Sequence, residues 1–275
     1  MTHAPDYRLG QWQDVLDGVT CDALIVDAPY SARTHGGHDD GVGGARGDSG
    51  LDGEETRLRV DRRNGAVYSV GVNRRRAITY EGWTPADVTA FVGAWSPRTR
   101  GWMVTITDHV LAPAWAEAMA EQGRYVFAPL PWFAPGSRVR LAGDGPSSWT
   151  CWIVVGRPRT GEDRNGRPYS KWGTLPGGYN ITSDRGGHIG GKPLALMEAL
   201  VRDYSRPGDL VCDPCAGYGT TLAAALRQGR QAVGAEMDPE THAAGLRYLD
   251  THGRVRDLFE AVDASADDGE QGALL

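Results

Sequence analysis

One stretch leaves this chain few options: Leu210-Val211-Cys212-Asp213-Pro214-Cys215-Ala216-Gly217-Tyr218-Gly219-Thr220-Thr221. Its first residues are apolar and suit a buried strand. A Gly-x-Gly turn follows, and then Leu222-Ala223-Ala224-Ala225-Leu226 reads as a helix. A strand, a tight turn and a helix form a nucleotide-cradling layout. The glycines let backbone approach a ligand, and the helix N-terminus offers N–H groups with no partner inside the helix. A second strand, Gln231-Ala232-Val233-Gly234-Ala235, ends on Glu236. That acid follows at roughly the 20-residue spacing of a carboxylate that accepts hydrogen bonds from a ribose diol. Cys212 and Cys215 have C-x2-C spacing, which invites a zinc reading, but no second pair or nearby His completes such a site. Their place within the strand and turn favours a structural role, and no metal is expected.

The rest of the chain alternates in the same way. Ala23-Leu24-Ile25-Val26 is a continuous apolar run of the kind buried in a parallel sheet, and it ends at Asp27-Ala28-Pro29-Tyr30. Before it, Trp12, Val15, Leu16 and Val19 suggest a helix after a short lead-in. Thr84-Pro85-Ala86-Asp87 carries the signature of a helix start, and the helix continues through Phe91 and Trp95. Trp102–Ile106, Tyr125–Phe127 and Trp152–Val155 read as strands, with a helix from Pro113 to about Gly123 among them. Further helices start near Pro193 and Pro239. Strands alternating with helices predict an α/β fold, a mostly parallel sheet covered on both faces.

Two segments break the pattern. Residues 31–66 read as a glycine-dense loop that turns basic toward Arg74-Arg75-Arg76. Residues 156–192 mix Arg157, Arg159, Arg164, Arg167 and Lys171 with Tyr169, Trp172 and Tyr179. Basic residues with interleaved aromatics suit phosphate contact and base stacking, and ordinary solvated loops explain them as well. The expected organisation is one domain over 1–262, with candidate nucleic-acid-recognition segments at about 31–76 and 156–192. A small acidic tail over 263–275 is expected to be flexible.

The string from Asp213 to Thr221 resembles motif I of the DNA amino-methyltransferases, usually Asp-Pro-Phe-x-Gly-Ser-Gly-Thr-Thr, with Cys215 in place of Phe and Tyr218 in place of Ser. Asp27-Ala28-Pro29-Tyr30 is similar to their catalytic motif IV, commonly Asp-Pro-Pro-Tyr, and Lys192-Pro193 to their motif X. The order, with motif IV first and motifs X and I last, is the permuted order of the beta class. The resemblance implies a Rossmann-like methyltransferase fold and S-adenosylmethionine as cofactor. It implies cofactor contacts from Lys192, Pro193, Asp213, Cys215, Ala216, Gly217, Gly219, Thr220, Thr221 and Glu236. Lys192 would pair with the cofactor carboxylate.

The implied catalytic residues are Asp27, Ala28, Pro29 and Tyr30, and their chemistry follows from the substrate. An exocyclic amine on a base is a poor nucleophile because its lone pair is delocalised into the ring. Two acceptors on its two hydrogens, the Asp27 carboxylate and the Ala28 carbonyl, favour a pyramidal nitrogen with an available lone pair. Tyr30 would stack on a base flipped out of double-stranded DNA. Ala28 departs from the family's Pro, but it still offers a carbonyl, and Pro29 biases it toward an extended conformation.

The expected activity is methyl transfer to adenine N6. Cytosine N4 is the first alternative; an RNA methyltransferase and a catalytically weak nucleic-acid-binding relative are others. The resemblance also brings restriction-modification and a homodimer into view. The formal net charge of −6 is a global sum, compatible with a local basic face for DNA. No apolar run approaches the ~20 residues of a membrane helix, and Met1–Asp6 lacks the basic-then-apolar pattern of a signal peptide. Four scattered cysteines fit a reducing, cytoplasmic setting.

Overall fold

A computed structural model describes residues 4–34, 56–60, 67–71, 81–135, 145–182 and 191–253. The main sheet is assembled from β1 (Asp6–Leu9), β2 (Ala23–Val26), β5 (Met103–Thr107), β6 (Tyr125–Val126), β7 (Leu130–Phe133), β8 (Thr150–Arg157), β9 (Tyr179–Asn180), β10 (Leu210–Asp213) and β11 (Gln231–Glu236). Its strand order is β1-β11-β10-β2-β5-β8-β7-β9, with β6 also paired to β8. The first five strands in that order are mutually parallel. β8 runs antiparallel to both β5 and β7.

All four residues of β2 are buried because both faces of the sheet are covered. Successive side chains point to opposite faces. Ile25 faces a core built with α4 (Leu194–Tyr204) and α5 (Thr220–Arg227). Leu24 and Val26 face a second core with α2 (Pro85–Trp95) and α3 (Ala112–Glu121). β10 alternates in the same way, Val211 into the first core and Cys212 into the second. A final helix, α6 (Pro239–His252), sends Leu249 into the first core. The start of α2 is a reciprocal capping box: Asp87 N–H donates to the Thr84 hydroxyl, and Thr84 N–H donates to Asp87 Oδ2 at 2.8 Å.

The α/β architecture and the positions of the main helices agree with the sequence reading. Two features differ. The lead-in holds an edge strand, β1, before a single helical turn, α1 (Trp12–Val15). β1 is short and half-exposed, so it carries no long apolar run. Part of the expected loop over 31–66 is a strand, β3 (Thr56–Val60), paired antiparallel with β4 (Val67–Gly71). The alternating Val67-Tyr68-Ser69-Val70 and the Asn64-Gly65 dipeptide before it are hairpin signals that the glycine-rich composition obscured. The tail over 263–275 and the triplet Arg74-Arg75-Arg76 lie outside the described residues.

Candidate active site

β10 and β2 are neighbours, with Val211 level with Ala23 and Cys212 with Leu24. From β10 the chain crosses through α5 to β11 on one side, and from β2 it proceeds to β5 on the other. The boundary between β10 and β2 is therefore the switch point of the parallel sheet, where a crevice opens beyond the strand ends. Asp27 follows β2 at that crevice, and its charge acts on both Asp213 and Cys215 beyond β10. Asp213 is paired with Gly234, and Glu236, at the end of that next strand, accepts Gly217 N–H from the turn. Segments from opposite ends of the sequence thus meet within two strand spacings of ~4.8 Å each.

The turn after β10 is shaped by its own residues. Buried Asp213 accepts from Cys215 N–H at 3.0 Å and from the Thr221 hydroxyl. Gly217 (φ +53°) and Gly219 (φ +75°) lie in the left-handed region. A Cβ on Gly219 would meet Leu249 of α6 at 3.1 Å, whereas one on Gly217 would enter open space. Gly217 N–H donates to Glu236 Oε2 at 3.1 Å, and Asp238 N–H donates to Glu236 Oε1 at 2.7 Å. Tyr7 of β1 donates its hydroxyl proton to the Gly217 carbonyl. Gly234 admits the whole turn: a Cβ there would lie 2.8 Å from the Asp213 carbonyl oxygen and 3.0 Å from Ala216 Cβ. Ala216 is buried in the first core, Thr220 opens α5, and Pro193 is the cap of α4.

The electrostatics are those of a crowded acidic site. Burial, with the charges of Asp27 and Glu236, pushes the Asp213 carboxyl up to about 7, although the Thr221 hydroxyl and Cys215 N–H oppose the shift. Burial also raises Glu236. The Cys212 and Cys215 thiols are pushed well up, chiefly by burial, so both stay neutral and poor as metal ligands. Among the described residues, no group of three or more His, Cys, Asp or Glu could hold a metal ion.

Lys192 reaches this cluster from the other side. Its ammonium forms an ion pair with Asp27 Oδ2 and lies 5.0 Å from the centre of the Tyr30 ring. Tyr30 and Ala28 are both buried, and Trp83 N–H donates to the Tyr30 carbonyl at 2.9 Å. The sequence reading pairs Lys192 with a cofactor carboxylate; in this structure its partner is Asp27. His188, Ile189 and Gly190, which precede it, lie outside the described residues.

Two residues that hold the segment after Asp27 were not singled out from the sequence. Asp108, at the end of β5, accepts from Ser31 and Thr34. Gly82 lies so close to the 31–32 backbone that a Cβ would come within 2.5 Å of Ala32 N. The available signal for Asp108 was an acid directly after an apolar parallel strand, the place where ligand-facing groups gather.

The second loop segment divides. Residues 158–172 run along the opposite rim, at the N-terminal ends of the strands. There Arg164 donates to the Gly208 carbonyl and Arg206 stacks on Trp172 at 3.6 Å. Tyr169, Trp172 and Tyr179 are buried in the first core. Trp132 Nε1–H donates to the Ile181 carbonyl at 2.8 Å, and β9 follows β7 back toward the site rim. An exposed aromatic pair, Phe133 and Trp149 with centroids 5.9 Å apart, stands on that rim.

The fold is one that solved methyltransferases share. Residues 139–246 match the family described as DNA methylase. A segment of 59 residues is 46% identical to the DNA adenine methyltransferase YhdJ of Escherichia coli (strain K12), covering 22% of this chain and 20% of that protein. The matched stretch thus spans about a fifth of that relative's length. The fold is also that of the M1.HpyAVI–SAM complex (TM-score 0.59, 16% identity, 90% of this chain and 100% of the other). The PvuII DNA methyltransferase, described as cytosine-N4-specific, shares it as well (TM-score 0.57, 14% identity, 96% and 92%).

Proposed function

We propose that the protein transfers a methyl group from S-adenosylmethionine to the exocyclic amine of a base flipped out of duplex DNA, with adenine N6 as the favoured acceptor. The observation that carries this reading is that Asp27 and the Gly217 turn follow the same ends of two adjacent parallel strands, β2 and β10. A base amine held by the first would face a cofactor held by the second.

The residues fit the cofactor. Open space beside Gly217 Cα permits close approach of a ligand to the backbone. Asp27, Asp213 and Glu236 repel one another, with Lys192 as counter-charge to Asp27, so a cationic ligand lowers the cost of keeping them ionised. Glu236 accepts backbone N–H groups from Gly217, Asp238 and Met237, and its carboxylate, with about four lone-pair sites, keeps capacity for a hydroxyl. When bound, S-adenosylmethionine supplies a methyl group on a positively charged sulfur, activated toward in-line attack.

The chain's own residues prepare the acceptor. The Asp27 carboxylate takes one amine hydrogen and the Ala28 carbonyl the other, which draws the nitrogen toward a pyramidal shape with its lone pair exposed. Bound S-adenosylmethionine would supply the methyl group to that nitrogen, its sulfur keeping the electron pair of the broken bond, and one amine proton would be released. Asp27 is placed to receive that proton. Tyr30, whose ring lies near Lys192, would line the base pocket from one side.

Incubating the protein with methyl-labelled cofactor and duplex DNA of mixed sequence tests the reading. Label in N6-methyladenine is expected. Label in N4-methylcytosine replaces the adenine assignment, and label in RNA alone replaces the DNA assignment. DNA binding without transfer points to the catalytically weak relative and overturns the enzymatic reading.

A further inference from the structure

Asp108 is almost fully buried just past the C-terminal end of β5, two strands from β10. Its Oδ2 accepts three hydrogen bonds from the segment that follows Asp27: Ser31 N–H at 3.0 Å, the Ser31 hydroxyl at 2.5 Å and the Thr34 hydroxyl at 2.5 Å. Its Oδ1 accepts Val110 N–H at 3.0 Å and Leu111 N–H at 2.9 Å, at the entry to α3. One carboxylate therefore ties together the end of β5, the start of α3 and the chain just past Tyr30.

The consequence lies in the short span between Val26 and Ser31. Val26 is fixed in the sheet by pairing with Thr105 on β5. Ser31 is fixed to Asp108, three residues beyond that Thr105 on the same stretch of chain. Tyr30 is held by Trp83 N–H, and the close approach of Gly82 to residues 31 and 32 closes the remaining side. Asp27, Ala28 and Pro29 thus bridge two points anchored to one strand, which leaves the Asp27 carboxylate and the Ala28 carbonyl little freedom to splay.

We propose that Asp108 is a positioning residue for methyl transfer, holding Asp27 and the Ala28 carbonyl in register with the cofactor turn through Ser31 and Thr34. The proposal rests on the functional reading above. It requires a carboxylate: all five bonds at Asp108 run from donors, and an amide would set two N–H donors against some of them. Burial would raise this carboxyl, but the hydroxyls of Ser31 and Thr34 and the backbone N–H groups of Leu111 and Ser31 hold it below the usual range. It remains a full acceptor through the neutral range.

The test is Asp108→Asn in the full chain, assayed well below its unfolding midpoint, with rates expressed per cofactor-binding site. The expected result is a kcat about 100-fold lower, the size of effect that follows from displacing a reacting group by ~1 Å. Cofactor Kd should stay within about threefold. Backbone amides of residues 28–34 should exchange faster than in the wild type. An unchanged kcat per site overturns the proposal, as does a cofactor Kd that weakens in step with kcat, which marks a general structural role. Should Asp108→Asn fail to fold, the Ser31→Ala/Thr34→Val double variant removes the two hydroxyl donors and leaves the backbone bonds. Its kcat should fall about 10-fold, and no fall overturns the proposal. If the wild type transfers no methyl group to DNA or RNA, the functional reading fails by itself. Hydrogen exchange then decides the anchoring: faster exchange at 28–34 in the variant supports it, and unaltered exchange overturns it.

Discussion

Lys192 and Asp27 stand 165 positions apart in sequence and are joined by an ion pair at the crevice between β2 and β10. The pair is only partly exposed, with 13% of the lysine side chain and 22% of the aspartate side chain accessible. It connects the start of α4 to the end of β2, and so ties the segment preceding the cofactor turn to the segment that would hold the base. The Tyr30 ring lies beside it. Under the proposed function, a base entering against Tyr30 would meet this ammonium.

Replacing this lysine separates two roles. Lys192→Met is expected to lower kcat by about 30-fold while cofactor Kd changes less than threefold, in keeping with ~2 kcal/mol for a charge-assisted bond acting through Asp27. A Kd weakened 10-fold or more, measured by calorimetry, would instead assign the lysine to the cofactor carboxylate. Lys192→Arg should recover part of the rate.

Asp27→Ala removes one of the two acceptors for the amine hydrogens. Methyl transfer should fall by about 10³-fold, the upper range for loss of a single electrostatic catalytic contact. Cofactor binding should be retained, because the turn after β10 is built from Asp213, Glu236 and Tyr7 without Asp27. Retained activity in a single-turnover assay would refute the mechanism.

Two glycines in the site should behave in opposite ways. Gly217→Val puts a side chain into open space at φ +53°, so it costs about 1–2 kcal/mol of backbone strain and weakens cofactor binding 10-fold or more. Gly234→Ala drives a Cβ to 2.8 Å from the Asp213 carbonyl oxygen, and the turn must shift. It should lower Tm by about 5 °C, on the order of 2 kcal/mol of overpacking. Thermal unfolding beside cofactor titration distinguishes the two.

Asp213 gives the fold a pH dependence of definite sign. Its folded pKa is raised to about 7 from 3.8, chiefly by burial, so between these values the folded state holds a proton that the unfolded chain has lost. The associated stability is fully present below about pH 4 and is lost as pH rises through about 7. Asp213→Asn keeps an oxygen for Cys215 N–H and removes the charge. Its Tm should vary less than that of the wild type between pH 4 and 8, and at pH 8 should exceed it by about 4 °C. A parallel pair of melting curves across that range, with the same slope in both proteins, would contradict this.

Much of the architecture was legible in the chain because it rests on local rules. The buried run Ala23–Val26 announced a central strand, and Thr84-Pro85-Ala86-Asp87 formed the capping box its order suggests. The Gly-x-Gly turn between a strand and a helix also took the form its residues require. The edge strand at Asp6–Leu9 was hidden because a half-exposed strand of four residues has no apolar run to betray it. Tyr169, Trp172 and Tyr179 read as surface rings among arginines because burial is a property of neighbours. Those neighbours, such as Asp203, whose carbonyl accepts Trp172 Nε1–H at 2.7 Å, come from a helix some 30 positions later.

By itself the sequence determined the chemistry that each segment can perform. It showed an acid and a carbonyl after one strand, a glycine turn after another, and the order in which they occur. These depend on side-chain type and on backbone conformations set within a few residues. Only the tertiary structure decided that β2 and β10 lie side by side, that Lys192 meets Asp27, and that Asp108 clamps Ser31 and Thr34. Those contacts join residues 74 to 188 positions apart and follow from burying both faces of a central strand between two helical layers. That is a requirement of the whole packed chain, and no local pattern encodes it.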